Sequence, residues 1–182
     1  MKTAKIFGGS AMRAMICVLL ILSVLTSFTA CRADAITMTP AQFLSRLNAL
    51  CADDFGAVTE TEAIDNTTSR CQITQRLSLM LISDPVTGLL QRAELVLTFD
   101  PDIEDLDYSS FSYFFLVMLK AYDPKTSVSN INSVYDALGI SDYEPGIRKE
   151  IGYGSNTYSY AVTETEACFS ALYIQPAQTL DF

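Results

Sequence analysis

From Cys71 to Ile82 the apolar residues fall largely on odd positions, while Gln72, Thr74, Arg76 and Ser78 take the even ones. Successive side chains of a strand point to opposite faces, so this alternation predicts one strand with a buried face and a wet face. Asp84-Pro85-Val86-Thr87-Gly88 follows, with proline and glycine placed for a turn. Leu89 to Phe99 resumes the alternation, with Ala93, Leu95, Leu97 and Phe99 on one face and Arg92, Glu94 and Thr98 on the other. The pair reads as a hairpin with one apolar face, and that face needs a second layer to cover it.

Three helices are available as cover. Thr39-Pro40-Ala41-Gln42 is a capping box with proline at the first helical position, and Met38 and Phe43 occupy the staple positions. Phe43, Leu44, Leu47, Leu50 and Cys51 continue at helical spacing to a predicted end near Ala52. Tyr108 to Tyr122 reads as an aromatic helix, apolar on all sides from Phe114 to Leu119 and therefore expected to be deeply buried. Ser129 to Leu138 is a shorter one, with Ile131, Val134, Tyr135 and Leu138 inward and Gly139 as its stop. Val58–Ile64 reads as an edge strand, Ile147–Tyr153 as another strand, and Thr157–Gln175 as one or two more. The order helix, strands, two helices, strands predicts an α+β fold: two layers, a curved and mainly antiparallel sheet with the helices on one face.

Composition narrows the chemistry. The 182 residues include no histidine and no tryptophan, and 12 basic against 21 acidic residues give a net charge of −9. That charge argues against nucleic acid as a partner. Without histidine there is no Ser-His-Asp triad, no Cys-His pair and no imidazole-ligated zinc site. Gly152-Tyr153-Gly154 lacks the further glycine and the following helix of a phosphate loop, so no cofactor is predicted.

The first thirty residues read as an address. Lys2, Lys5 and Arg13 precede an apolar run from Ile16 to Leu25, and the first acid is Asp34. This is the pattern of a secretory signal, and the run falls short of the roughly 20 residues of a membrane span. Thr29-Ala30-Cys31 follows, a small residue directly before a cysteine, with Phe28 where leucine is commonest. This segment resembles the lipobox of bacterial lipoproteins. The resemblance implies cleavage before Cys31 and lipid attachment to Cys31. Ala33-Asp34-Ala35 offers ordinary signal peptidase a second site, which would give plain secretion instead. Cleavage before Cys31 removes three basic residues and no acid, so −9 becomes −12. So acidic a domain is repelled by anionic membranes, and attachment would rest on the acyl chains. The expected organisation is a signal peptide over 1–30 or 1–35, a tether over 31–37, one domain over 38–176 and a tail over 177–182.

Cys51, Cys71 and Cys168 remain in the domain, an odd number with no C-x-x-C spacing. They read either as one disulfide plus a thiol or as three buried thiols, and the apolar phase of Cys51 and Cys71 favours the thiols. Asp100, Asp102, Glu104, Asp105 and Asp107 alternate like calcium ligands, but Asp105 stands where a calcium loop needs glycine and Phe111 where it needs glutamate. Hence no metal is predicted, and the run reads as the cap of the following helix. Asp53/Asp54 and Glu60/Glu62 are carboxylate pairs of the type a glycosidase uses, without a sign of a cleft. Tyr153, Tyr158 and Tyr160 could meet a sugar or protein partner, or simply pack beside the sheet. Ala57-Val58-Thr59-Glu60-Thr61-Glu62-Ala63 recurs identically as Ala161 to Ala167 and reads as two similar exposed strands or turns.

The reading is an exported, lipid-anchored bacterial envelope protein, outside the cytoplasm, acting as a binding or interaction module with a protein or glycan partner. No catalytic residue is assigned. The alternatives are a cell-surface hydrolase working through carboxylates and a purely structural envelope protein.

Overall fold

The computed structural model describes residues 37–55, 57–100, 103 and 105–173. The proposed signal, Cys31, the tether up to residue 36 and the C-terminal tail lie outside these residues. Ala35–Phe182 forms one compact unit.

The fold is α+β, as the element order predicts. Helix α1 spans Pro40–Phe55, followed by strands β1 (Glu60–Ala63), β2 (Thr68–Gln72), β3 (Leu77–Ser83) and β4 (Leu90–Thr98). Helices α2 (Asp105–Tyr122) and α3 (Val128–Leu138) come next, then β5 (Arg148–Tyr153), β6 (Asn156–Val162) and β7 (Glu166–Tyr173). The seven strands form one open sheet in the order β1-β2-β3-β4-β7-β6-β5, with every neighbour antiparallel. Two meanders thus meet at the central β4–β7 pair.

Register explains the core. Cys71, Leu79, Leu95, Phe169 and Tyr160 stand side by side across five strands, and Leu81, Ala93, Ala171 and Tyr158 form the next row. All nine are buried. The helices pack on this face, which takes odd residues from β2, β3, β4 and β7 and even residues from β6: Phe115 meets Phe169 edge-on at 4.6 Å, Phe111 lies 6.1 Å from Tyr160, and Tyr122 stacks on Tyr173 at 3.6 Å. Each large side chain buried in this way contributes roughly 1.5–3 kcal/mol. The opposite face mixes Met80, Glu94, Val96, Ser159 and Ser170 in half-buried positions.

Local signals set the helix ends. Thr39 N–H donates to Gln42 Oε1 at 2.9 Å and Gln42 N–H to Thr39 Oγ1 at 3.2 Å, the reciprocal pair of a capping box. Met38 and Phe43 are both buried beside it. Ser127 caps α3 through Asn130 N–H, and Gly139 closes it at φ 66°, the left-handed conformation glycine adopts without a Cβ clash. Asn48 on α1 then holds the returning chain by exchanging two 2.7 Å hydrogen bonds with the backbone of Val58.

Three expectations need correction. The strand predicted from Cys71 to Ile82 is two strands joined by a turn at Ile73–Arg76. Thr74 Oγ1 accepts from Arg76 N–H and Leu77 N–H, which stabilises the turn without glycine or proline. Cys71 pairs with Leu79, so odd residues face the core on both strands and the alternation runs unbroken through the reversal. Helix α2 is not buried all round: Leu116 is 37 % exposed between buried Phe115 and Val117. The identical heptapeptides adopt different structures. The first enters edge strand β1, whereas the second ends β6, turns at Thr163–Thr165 and begins β7. Tertiary pairing overrides a seven-residue preference, so Ala63 is exposed and Ala167 fully buried.

Candidate functional site

The helical layer presents a groove on its outer side. Leu50 of α1, Tyr113, Leu116, Val117 and Lys120 of α2, and Val128, Ile131 and Asn132 of α3 line a volume of about 310 Å³. Leu50, Leu116 and Val128 are 46 %, 37 % and 69 % exposed, so large apolar side chains from all three helices face solvent in one place. Scattered surface leucines need no explanation, but a contiguous apolar patch marks a contact surface. The helix positions follow from packing. Phe114, Phe115 and Met118 turn into the core, and helical geometry then places Tyr113, Leu116 and Lys120 on the other side of α2. Lys120 Nζ donates to the carbonyls of Pro124 at 2.6 Å and Thr126 at 2.8 Å. Its ammonium therefore ties α2 to the α2–α3 connection and fixes the wall of the groove.

Two of the carboxylates singled out in the sequence, Asp100 and Asp107, are held by an arginine. Arg76, in the β2–β3 turn, holds Asp100 at 2.7 Å and Asp107 at 3.1 Å. The two ends of the acidic run are thereby bound to a guanidinium, whose own pKa rises chiefly through the hydrogen bond to Asp100. The side chains of Asp102, Glu104 and Asp105, like those of Asp53, Asp54 and Glu60, lie outside the described residues, and Glu62 is exposed at the sheet edge. Asp84 accepts from Thr87 N–H, Thr87 Oγ1 and Val86 N–H, and these bonds hold its carboxyl below the ordinary 3.8. Asp65 does the same for Thr67 and Thr68 and is lowered likewise. Among the described residues, no three acidic or cysteine side chains converge as a metal site would require.

The tyrosines separate. Tyr158 and Tyr160 are buried on the helix side of β6, and Tyr160 Oη donates to the carbonyl of Asp142 at 2.9 Å. Only Tyr153 is exposed. Tyr143 packs against Tyr108 at 4.4 Å, and burial pushes its phenol up to about 12. These rings are core and loop supports. Asn156 and Tyr173 are partners in the β6–β7 register, and Asn156 Oδ1 and Tyr173 Oη are each buried without a hydrogen-bond partner. Cys51, Cys71 and Cys168 are thiols, in no disulfide. Burial, then the charges of Glu94 and Glu166, push the Cys168 thiol up to about 12, which leaves it almost entirely protonated at neutral pH.

The groove is the feature the sequence did not reveal. Its lining comes from three helices distant in sequence, and the exposed side of α2 is masked by the apolar run around it. Val128 gave no warning, because it stands three residues before Ile131 and seven before Tyr135, in phase with the apolar face of α3. No protein-family model, no curated protein and no solved structure matches this chain.

Proposed function

We propose that this is an exported bacterial envelope protein, anchored by lipid on Cys31, whose domain acts as a binding module through the groove between α1, α2 and α3. The observation that carries the module role is the cluster of exposed Leu50, Leu116 and Val128 around one concavity. Apolar clefts with few polar groups are the usual form of a binding site. The placement outside the cytoplasm is supported by the basic start, the short apolar run and Thr29-Ala30-Cys31. Two further features support binding over catalysis. The chain has no histidine, and Asp65, Asp84, Asp100 and Asp107 are engaged in turns and in the Arg76 cluster. The partner fitting this groove is an apolar segment of another envelope protein, read through side chains spaced along a helix or strand.

The test is photo-crosslinking in intact envelopes from benzoyl-phenylalanine placed at Leu116. A discrete adduct is expected, lost when Val128→Glu charges the opposite wall and absent when the crosslinker sits at exposed Lys125. An adduct unaffected by Val128→Glu, or no adduct at Leu116, would refute the groove as the binding surface.

A further inference from the structure

The two edges of the sheet are built differently. β1 has four residues, a register shift between Glu60 and Glu62, and acidic side chains. A short, bulged, like-charged strand is how an edge is protected from pairing. β5, at the other edge, has six residues and keeps its register with β6 unbroken from Arg148 to Tyr153. Arg148, Lys149, Glu150, Gly152 and Tyr153 are exposed.

Among the described residues β5 is the last strand of the sheet, and its outer backbone edge has a defined parity. Val162 N–H donates to the carbonyl of Ile147 at 2.9 Å, so odd residues of this strand turn their backbone groups towards β6. In an antiparallel ladder the backbone direction alternates, which leaves the N–H and C=O of Arg148, Glu150 and Gly152 pointing outward. A second copy of β5 can bond to them only in registers that set even residues opposite even residues. With the two-fold axis at Lys149, Arg148 faces Glu150 of the second copy and Glu150 faces its Arg148. On the other face Ile147 then stands opposite Ile151 twice, both half-buried against the core. Lys149 meets its own symmetry mate, but its Nζ lies 2.6 Å from where a Cβ on Gly139 would stand, at the C-terminal end of α3. Helix carbonyls there favour a cation and draw the ammonium off the axis. Moving the axis to Glu150 sets two carboxylates face to face, and moving it to Ile151 leaves Arg148 and Glu150 opposite glycines.

We propose that β5 is a dimerisation edge: two copies pair antiparallel about Lys149 through reciprocal Arg148–Glu150 contacts, making one continuous sheet. Such an interface is isologous, so each contact occurs twice, and opposite charges directly across a ladder stabilise it.

The test is sedimentation equilibrium of the full chain in mild detergent, at tens of micromolar. The wild type is expected at the mass of two chains. Glu150→Arg and Arg148→Glu, each setting like charges across the axis, are expected at one. An equimolar mixture of these two variants restores opposite charges and is expected to return to two. A monomeric wild type, a dimer that survives both single charge reversals, or a mixture that stays monomeric would each overturn the proposal. Circular dichroism matching the wild type establishes that the variants are folded.

Discussion

Phe115 and Leu116 are sequence neighbours on α2 with opposite surroundings, and truncating each in turn tests how the helical layer sits on the sheet. Phe115 is fully buried, 4.6 Å edge-on from Phe169 and 5.5 Å from Tyr135. Phe115→Ala removes a ring and leaves a cavity under the helix, which costs about 3–5 kcal/mol. Loss of the two edge-to-face contacts places it in the upper part of that range. Leu116 is 37 % exposed on the groove side, so Leu116→Ala gives up only part of a leucine's burial, leaves no closed cavity and costs about 1–2 kcal/mol. Guanidinium unfolding of both variants with an unchanged slope reads the difference directly. For a domain of this size each kcal/mol moves the melting midpoint by about 2–4 °C, so the two variants separate clearly in a thermal scan as well. Equal costs, or a Phe115→Ala shift below about 1 kcal/mol, would show that α2 is rotated from the position described and that Leu116 does not line a groove.

Further expectations follow from single sites. Gly139→Ala forces a left-handed residue with a Cβ against Lys149 Nζ, and should cost about 1–2 kcal/mol by denaturant unfolding. Tyr173→Phe deletes a buried hydroxyl without a partner, so it should leave stability unchanged or raise it by up to about 1 kcal/mol in the same assay. Asp84 has a folded-state pKa below its unfolded value, so its stabilisation is complete above the unfolded pKa and is lost as the pH falls through the lowered one. An acid-unfolding profile of Asp84→Asn should accordingly be flatter than that of the wild type below about pH 4. Because Arg76 already engages both Asp100 and Asp107, millimolar calcium and chelator should give the same melting midpoint.

Much of this architecture is legible because local chemistry and tertiary structure agree. The capping box at Thr39, the Gly139 stop and the Asp84–Gly88 turn each place an element boundary through bonds made within a few residues. Where the sequence misleads, the cause is equally physical. The β2–β3 reversal has neither glycine nor proline, and its even register preserves the apolar phase, so nothing in the pattern marks it. The identical heptapeptides diverge because the partner strands, not the seven residues, decide between edge strand and hairpin. A continuous apolar run such as Phe114–Leu119 has no periodicity from which to read its outer ridge, so the exposure of Leu116 appears only when α1 and α3 are in place. The acidic run looks like a ligand set because its counter-charge, Arg76, lies far away in sequence and arrives through the β2–β3 turn.

The proposed placement of the protein on the envelope rests on one atom, the sulfur of Cys31. Metabolic labelling with a radioactive fatty acid, followed by membrane fractionation of the wild type and Cys31→Ala, measures it directly. The wild type is expected to carry label and to sediment with membranes, while Cys31→Ala carries none and is either soluble outside the cytoplasm or unprocessed. Label persisting at wild-type levels in Cys31→Ala, or an unlabelled wild type cleaved after Ala35, would contradict the account.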